Sequence, residues 1–275
     1  MKQILVPFDF SQNAETALLY AKGVAEKAGA GITVFHIVNI PANILVHAAD
    51  DAAKEAIIEK EEANKLAALQ EKIALLFGNV HHGVQTRVAF SQLMVEKTLE
   101  LALAIKADVI IMGTHGASGI SQFLFGSNTS TMISKSPVPV LAIPPGTATA
   151  LPKHIVYASD LEHIPGELQR INVFASALQA SVTLLHFTTK DLQATEEKVA
   201  AHIPADTGIN LQVVVLPLQI GVTLLTQIRH YVTTHPTDWV VMVTKERGFW
   251  SKLLGGSKTE SMANALPVPL LSLKK

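Results

Sequence analysis

A chain of 275 residues is long enough for two halves of roughly 140 residues, each able to bury a core. Cysteine is absent, which excludes a disulfide framework and any thiolate metal site, and suits a cytoplasmic address. The formal net charge of -1 supplies no global attraction for nucleic acid or an anionic membrane, and despite 48% hydrophobic residues no run reaches the ~18 apolar residues of a membrane span.

The opening MKQILVPFDFSQN places a strand-like run beside Asp9 and Ser11, without the long apolar core and small-residue cleavage site of an export signal. Residues 4–8 read as the first buried strand, and further short runs rich in Val and Ile follow at 32–38, 84–90, 109–112 and 138–143. Between them, 13–28, 51–77 and 92–105 carry Ala, Leu, Glu and Lys at helical spacing, with Ser11 and Ser91 as N-cap neighbours. The Glu-rich stretch 50–71 reads as an exposed helix face, with a mobile cover over a ligand as the alternative. His81 and His82 have no partners at metal spacing and read as a solvated loop. Strand and helix alternate throughout, which predicts an α/β fold whose parallel sheet is covered on both faces.

The fourth strand leads into IIMGTHGASGISQFLFGSNTS at 110–130. Gly113 and Gly116 follow the strand directly, and Gly126-Ser127 precedes Asn128, Thr129 and Ser130, which open a helix toward Ser136. A backbone that bends sharply and approaches a bulky anion needs residues without a β-carbon. Amides at a helix N-terminus then supply donors and a favourable dipole for phosphate. Ligands of open α/β sheets sit beyond the carboxyl ends of the strands, where Asp9 and Gly113 both lie. The spacing fits neither a P-loop nor the usual dinucleotide fingerprint, and glycines that merely shape turns are the bland alternative.

The remainder of the chain repeats these features. SPVPVLAIP at 136–144 is echoed by LPVPLLSLK at 266–274, KQILVPFDFS at 2–11 by KHIVYASDLE at 153–162, and GITVFHIV at 31–38 by ASVTLLHF at 180–187. The matching segments keep their order, so a duplication is read before any fold assignment. Strands are expected near Ile155, Val182, Leu211, Val240 and Val268, domains at 1–146 and 152–275, and a linker in PGTATALP at 145–152. An offset of 130 residues carries the glycine positions onto Val243, Glu246 and Gly256-Ser257. A β-branched side chain obstructs close approach and Glu246 adds negative charge near a polyanion, so phosphate binding is expected to be lost there and Asp160 to remain as a relic. Lys245, Arg247 and Gly248 leave a shifted alignment open.

Taken together, these residues resemble the universal stress protein family. Its nucleotide-binding members carry G-x2-G-x9-G-[ST], matched here by Gly113, Gly116, Gly126 and Ser127, and the likeness extends to VPFDFS at 6–11, FHIV at 35–38 and VPVL at 138–141. The resemblance implies two tandem doubly wound parallel five-stranded sheets (Rossmann-like, order 3-2-1-4-5). It also implies pairing along the last strands as an intramolecular pseudo-dimer, with 138–143 beside 268–273. It implies ATP or a related adenine nucleotide as ligand, with Asp9 and Ile37 around adenine and ribose and Pro7 and Met112 nearby. Gly113, His115, Gly116, Gly126, Ser127 and Asn128 would then surround ribose and phosphates.

No catalytic constellation stands out. Ser127 has no base beside it and reads as a phosphate-contacting helix cap. His36 and His186 occupy matching strand ends, where a hydrogen-bonded structural histidine is the default. Mg²⁺ would arrive with the nucleotide, and Asp9 is the one carboxylate nominated for it. The favoured function is a stress-associated nucleotide-binding sensor with a protein partner. A slow ATP-hydrolysing or phosphate-transferring enzyme and a nucleotide-free interaction scaffold are the alternatives, and further homo-oligomerisation is left open.

Overall fold

In a computed structural model, residues 1–78, 83–114, 126–204, 206–244 and 266–274 are described. The first half runs β1 (Gln3–Pro7), α1 (Gln12–Ala28), β2 (Gly31–Val38), α2 (Ala42–Val46), α3 (Asp51–Phe77), β3 (Val84–Phe90), α4 (Met94–Ala104), β4 (Val109–Gly113), α5 (Ser127–Lys135) and β5 (Val140–Ile143). The second runs β6 (His154–Ala158), α6 (Ile164–Leu178), β7 (Ser181–Thr188), α7 (Leu192–His202), β8 (Leu211–Pro217), α8 (Leu224–Thr234), β9 (Trp239–Thr244) and β10 (Leu270–Lys274).

The strands form one sheet in the order β3-β2-β1-β4-β5-β10-β9-β6-β7-β8, which is the expected 3-2-1-4-5 written twice, back to back. Within each half the pairs are parallel; β5 and β10 meet antiparallel, Leu271 opposite Leu141 and Leu270 opposite Ala142. Leu141 and Leu271 are equivalent positions in the repeat, so a pseudo-two-fold axis passes through that pair. The pairing is as expected, but the strands begin at Val140 and Leu270, two residues later than the apolar runs. Pro139 and Pro269 cannot donate to a ladder. Their carbonyls still accept, from Ile110 N–H at 2.8 Å and Val240 N–H at 2.9 Å.

Each face of the sheet is covered by apolar side chains drawn from both halves, so the two cores merge across the β5–β10 junction. The central strands are continuous apolar runs because neither face meets water; Ile4, Leu5 and Val6 of β1 are all fully buried. Contacts between α1 and α6 cross the junction, and so does a hydrogen bond from β9 to α1, the buried Trp239 indole N–H donating to Tyr20 Oη at 2.6 Å.

Local signals explain most helix ends. Ser11 caps α1, its Oγ accepting from Ala14 N–H at 3.1 Å, and Gly29 ends the helix in the left-handed region at φ 65°. Asp50 caps α3 through Ala53 N–H at 2.8 Å. Ser91 does not cap α4; the N-cap is Leu93, and Ser91 Oγ accepts from Leu93 N–H at 3.0 Å in a turn that delays the helix to Met94. The short α2 is an element that helical spacing did not reveal. Only Leu69 and Ile73 of α3 are buried, in keeping with an exposed helix face. His81 and His82 lie outside the described residues.

Candidate functional site

From β1 the sheet grows outward in both directions, to β2 on one side and to β4 on the other. Such a reversal leaves a crevice beyond the carboxyl ends of the strands. A cavity of about 180 Å³ opens there. Its walls include Pro7 from the end of β1, Asp9 just beyond, Ile37 from β2, Met112 and Gly113 from the end of β4, and Gly126, Ser127 and Asn128 at the opening of α5. Eight of the ten residues nominated from the sequence thus meet around one space, and His115 and Gly116 lie outside the described residues.

The turn after β1 is built by its own side chains. Asp9 Oδ1 accepts from Ser11 N–H at 3.0 Å, Phe10 takes φ 63°, and Ser11 then caps α1. This sequence of bonds leaves the exposed Asp9 at the mouth of the crevice. On the opposite wall, a β-carbon at Gly113 would stand 2.9 Å from the Asn13 carbonyl oxygen, so β4 approaches the first turn of α1 as only glycine can.

Beyond Gly113 the wall is tied to α5. Gly126 N–H donates to the Thr114 carbonyl at 2.7 Å, and Thr129 Oγ1 donates to the Gly113 carbonyl at 3.0 Å. The N-cap Gly126 offers no side chain to the first amides of α5, and the first turn carries no acidic residue. Those N–H groups and the positive end of the helix dipole are therefore directed at the cavity.

His36 is buried, and its Nδ1 lies 2.7 Å from the Phe8 carbonyl. A carbonyl only accepts, so Nδ1 carries the hydrogen and donates it. Burial, helped by the Lys65 ammonium, holds the imidazole below its ordinary pKa against the opposing pull of the Phe8 bond and Asp9, so the ring is neutral at pH 7. Phe10 meets this ring edge-on at 4.8 Å, and Lys65 Nζ from α3 stands 5.8 Å from the Phe10 centroid. His36 is thus a hydrogen-bonded histidine, as expected of its strand end, and it also lines the cavity.

Sequence reasoning missed Phe35, Met94 and Thr98, which complete the apolar side of the cavity. Met94 and Thr98 lie one turn apart on α4, where Thr98 Oγ1 donates to the Met94 carbonyl at 2.8 Å. Their signal was one of spacing alone, indistinguishable from ordinary core packing. The arrangement offers an apolar slot, a carboxylate at its mouth and free amides at the far end, which suits a flat ligand with an anionic tail. Among the described residues no group of three His, Asp or Glu is placed to hold a metal ion, and no helix is long and apolar enough to cross a membrane.

The sequence model of the universal stress protein family matches residues 1–144. A universal stress protein of Thermus aquaticus is 30% identical over 147 residues, covering 52% of this chain and 98% of the relative. One from Methanocaldococcus jannaschii is 28% identical over 158 residues, covering 52% and 94%. The solved structure of a universal stress protein from Archaeoglobus fulgidus superposes with a TM-score of 0.68 at 20% identity, over 99% of this chain and 98% of its own. That last likeness is one of fold, and it extends over both halves.

Proposed function

Since this chain belongs to the universal stress protein family, we propose that it is a stress-associated sensor that binds ATP or a related adenine nucleotide in its first half, residues 1–146, and signals to a protein partner in the cytoplasm. One observation carries the reading. The Gly113, Gly126 and Ser127 positions of the glycine motif converge with Asp9 and Ile37 on a single cavity at the strand-order reversal.

The residues fit the ligand. The slot formed by Pro7, Ile37 and Met112 would take the base, with Asp9 toward the sugar hydroxyls, and the amides of Ser127 and Asn128 would meet the phosphates. His115 and Gly116 would close the phosphate side. A Mg²⁺ ion would be held chiefly by phosphate oxygens, with Asp9 as the protein carboxylate. Because Asp9 already accepts from Ser11 N–H, its orientation is set before ligand arrives, and that part of the binding cost is met in advance.

The test is to identify any nucleotide that co-purifies, then to titrate ATP and AMP calorimetrically into stripped protein and into a Gly116→Glu variant. One nucleotide per chain, lost in the variant, is the expected result. Folded, stripped protein that binds neither ligand would reduce the glycine motif to architecture and leave a scaffold.

A further inference from the structure

The sheet ends in two edge strands, β3 on one side and β8 on the other. Unpaired edge amides invite another chain, and proteins blunt them with proline, charge or overlying structure. Register fixes which groups of β3 point outward. Ile32 N–H donates to the Gly83 carbonyl at one end of the β2–β3 ladder and Ser91 N–H to the Val38 carbonyl at the other, while Ile32 stands opposite Val84 and Val38 opposite Phe90. Alternation between those ends turns the N–H and C=O groups of Gln85, Arg87 and Ala89 toward β2, and those of Val84, Thr86, Val88 and Phe90 away from it.

The last outward amide is blunted on both edges. Phe90 N–H donates to Glu62 Oε1 of α3 at 2.6 Å. At the equivalent place on β8, opposite Thr188, stands Pro217, which has no N–H to offer. The outward N–H groups of Thr86 and Val88 have no such partner among the described residues, and both residues line a cavity of about 560 Å³.

That cavity straddles the edge of the sheet. Ala63 and Leu66 of α3 wall it on one side, Leu101 and Ala104 of α4 on the other. The two helices therefore flank the place where a further strand would lie, about 4.8 Å beyond β3, and such a strand would send successive side chains to α3 and to α4 in turn.

Each wall also carries a charge. Lys97 pairs with Glu100 at 2.9 Å, and Glu62 holds the Phe90 amide. Glu59 of α3 lines the cavity as well, and so does Arg87, which stands opposite Phe35 on the sheet face that packs against α4. Neither makes an ion pair among the described residues. A basic side chain directed at α3, next to an acidic one directed at α4, would complement both. A second copy of this chain carries the same two helices beside its own β3, and they cannot pass between these walls. A lone extended segment can.

We propose that the β3 edge is a docking groove for an extended segment of a protein partner, which joins the sheet as a further strand and carries adjacent basic and acidic residues among β-branched ones. The inference rests on the reading that this chain signals to a protein partner, and it is independent of the nucleotide.

The probe is a fluorescein-labelled hexapeptide, Thr-Val-Lys-Glu-Val-Thr, titrated into the full chain by fluorescence anisotropy without ATP, so that failure bears on the edge alone. Saturable binding is expected. N-methylation of the peptide's Lys and Glu amides, or Thr86→Pro in the protein, removes main-chain hydrogen bonds and should weaken it at least about ten-fold. Proline with its nitrogen facing outward on an edge strand leaves the ladder to β2 intact, and circular dichroism and melting verify folding. Glu59→Lys should weaken binding about five-fold or more, by setting like charge against the peptide's lysine. Hydrogen exchange on the parent chain gives a reading free of any variant: the Thr86 and Val88 amides become protected as peptide is added. Lack of saturable binding, parental affinity in the N-methylated peptide or in folded Thr86→Pro, or exchange at Thr86 and Val88 unchanged by saturating peptide, overturns the proposal. Protection of those amides that grows with protein concentration in the absence of peptide assigns the edge to a second copy and overturns it equally. A Glu59→Lys protein that binds as the parent does overturns the charge pattern assigned to the partner.

Discussion

Replacing Gly113 by Ala puts the close approach of β4 and α1 to a direct test. The new methyl would lie 2.9 Å from the Asn13 carbonyl oxygen and 3.1 Å from its carbonyl carbon and β-carbon. Backbone in the first turn of a capped helix cannot rotate away as a side chain can, so α1 must retreat by about half an ångström to restore ordinary contact. Overpacking of this kind costs about 1–3 kcal/mol, and the lower entropy of the unfolded alanine chain offsets about 0.4–1 kcal/mol of it. A net loss of about 1–2 kcal/mol corresponds to a fall in Tm of about 2–8 °C for a chain of this size. The same retreat carries Ser11 and the Asp9 turn with it, so ATP affinity should fall at least about ten-fold by calorimetry. A Gly113→Ala protein that melts at or above the parent temperature and binds ATP as the parent does would refute the close-approach argument.

Gly166 in α6 makes the contrasting case, since a β-carbon there meets nothing within 4 Å. Gly166→Ala, in the first turn of α6, should raise stability by about 0.4–1 kcal/mol in urea denaturation, chiefly by lowering the entropy of the unfolded chain. Tyr20→Phe removes the acceptor of the buried Trp239 indole N–H and should cost about 1–3 kcal/mol. Burial pushes the Tyr20 hydroxyl up to about 12, so its contribution is complete below the unfolded value near 10 and is lost between about 10 and about 12 as pH rises. The Tyr20→Phe variant should lack that alkaline decline in a melting series. His36 has its folded pKa lowered by burial, so the unfolded state takes up the proton more readily. Stability is therefore full above the unfolded value near 6.5 and falls as pH drops below it, and His36→Gln should flatten that acid limb of the Tm profile.

Much of the fold is legible because it is written in local chemistry. The bounds of α3 follow from Asp50 as cap and Gly78 beyond the last turn, and the five strands of each half follow from short runs of Val, Ile and Leu between helical segments. At Ser91 the helix begins later than spacing suggested, because a hydroxyl three residues before the first helical residue bonds a turn as readily as it caps a helix. The start of β5 was misplaced because an apolar run says nothing of where a proline first allows a ladder. In the site, glycines and an aspartate at strand ends are conspicuous in sequence, whereas Met94, Thr98 and Phe35 look like any core residues until two elements distant in the chain face the same space.

By itself the sequence determined the alternation of elements, the duplication, the family and the glycine spacing, since each depends on residue type and near-neighbour order. Tertiary structure decided the rest. The antiparallel register of Leu141 with Leu271, which joins two sheets into one, is set by backbone hydrogen bonds between residues far apart in the chain. The buried hydrogen bond from the Tyr157 hydroxyl to Glu167 likewise joins two residues unremarkable in their own segments, brought within reach only when α6 lies against β6.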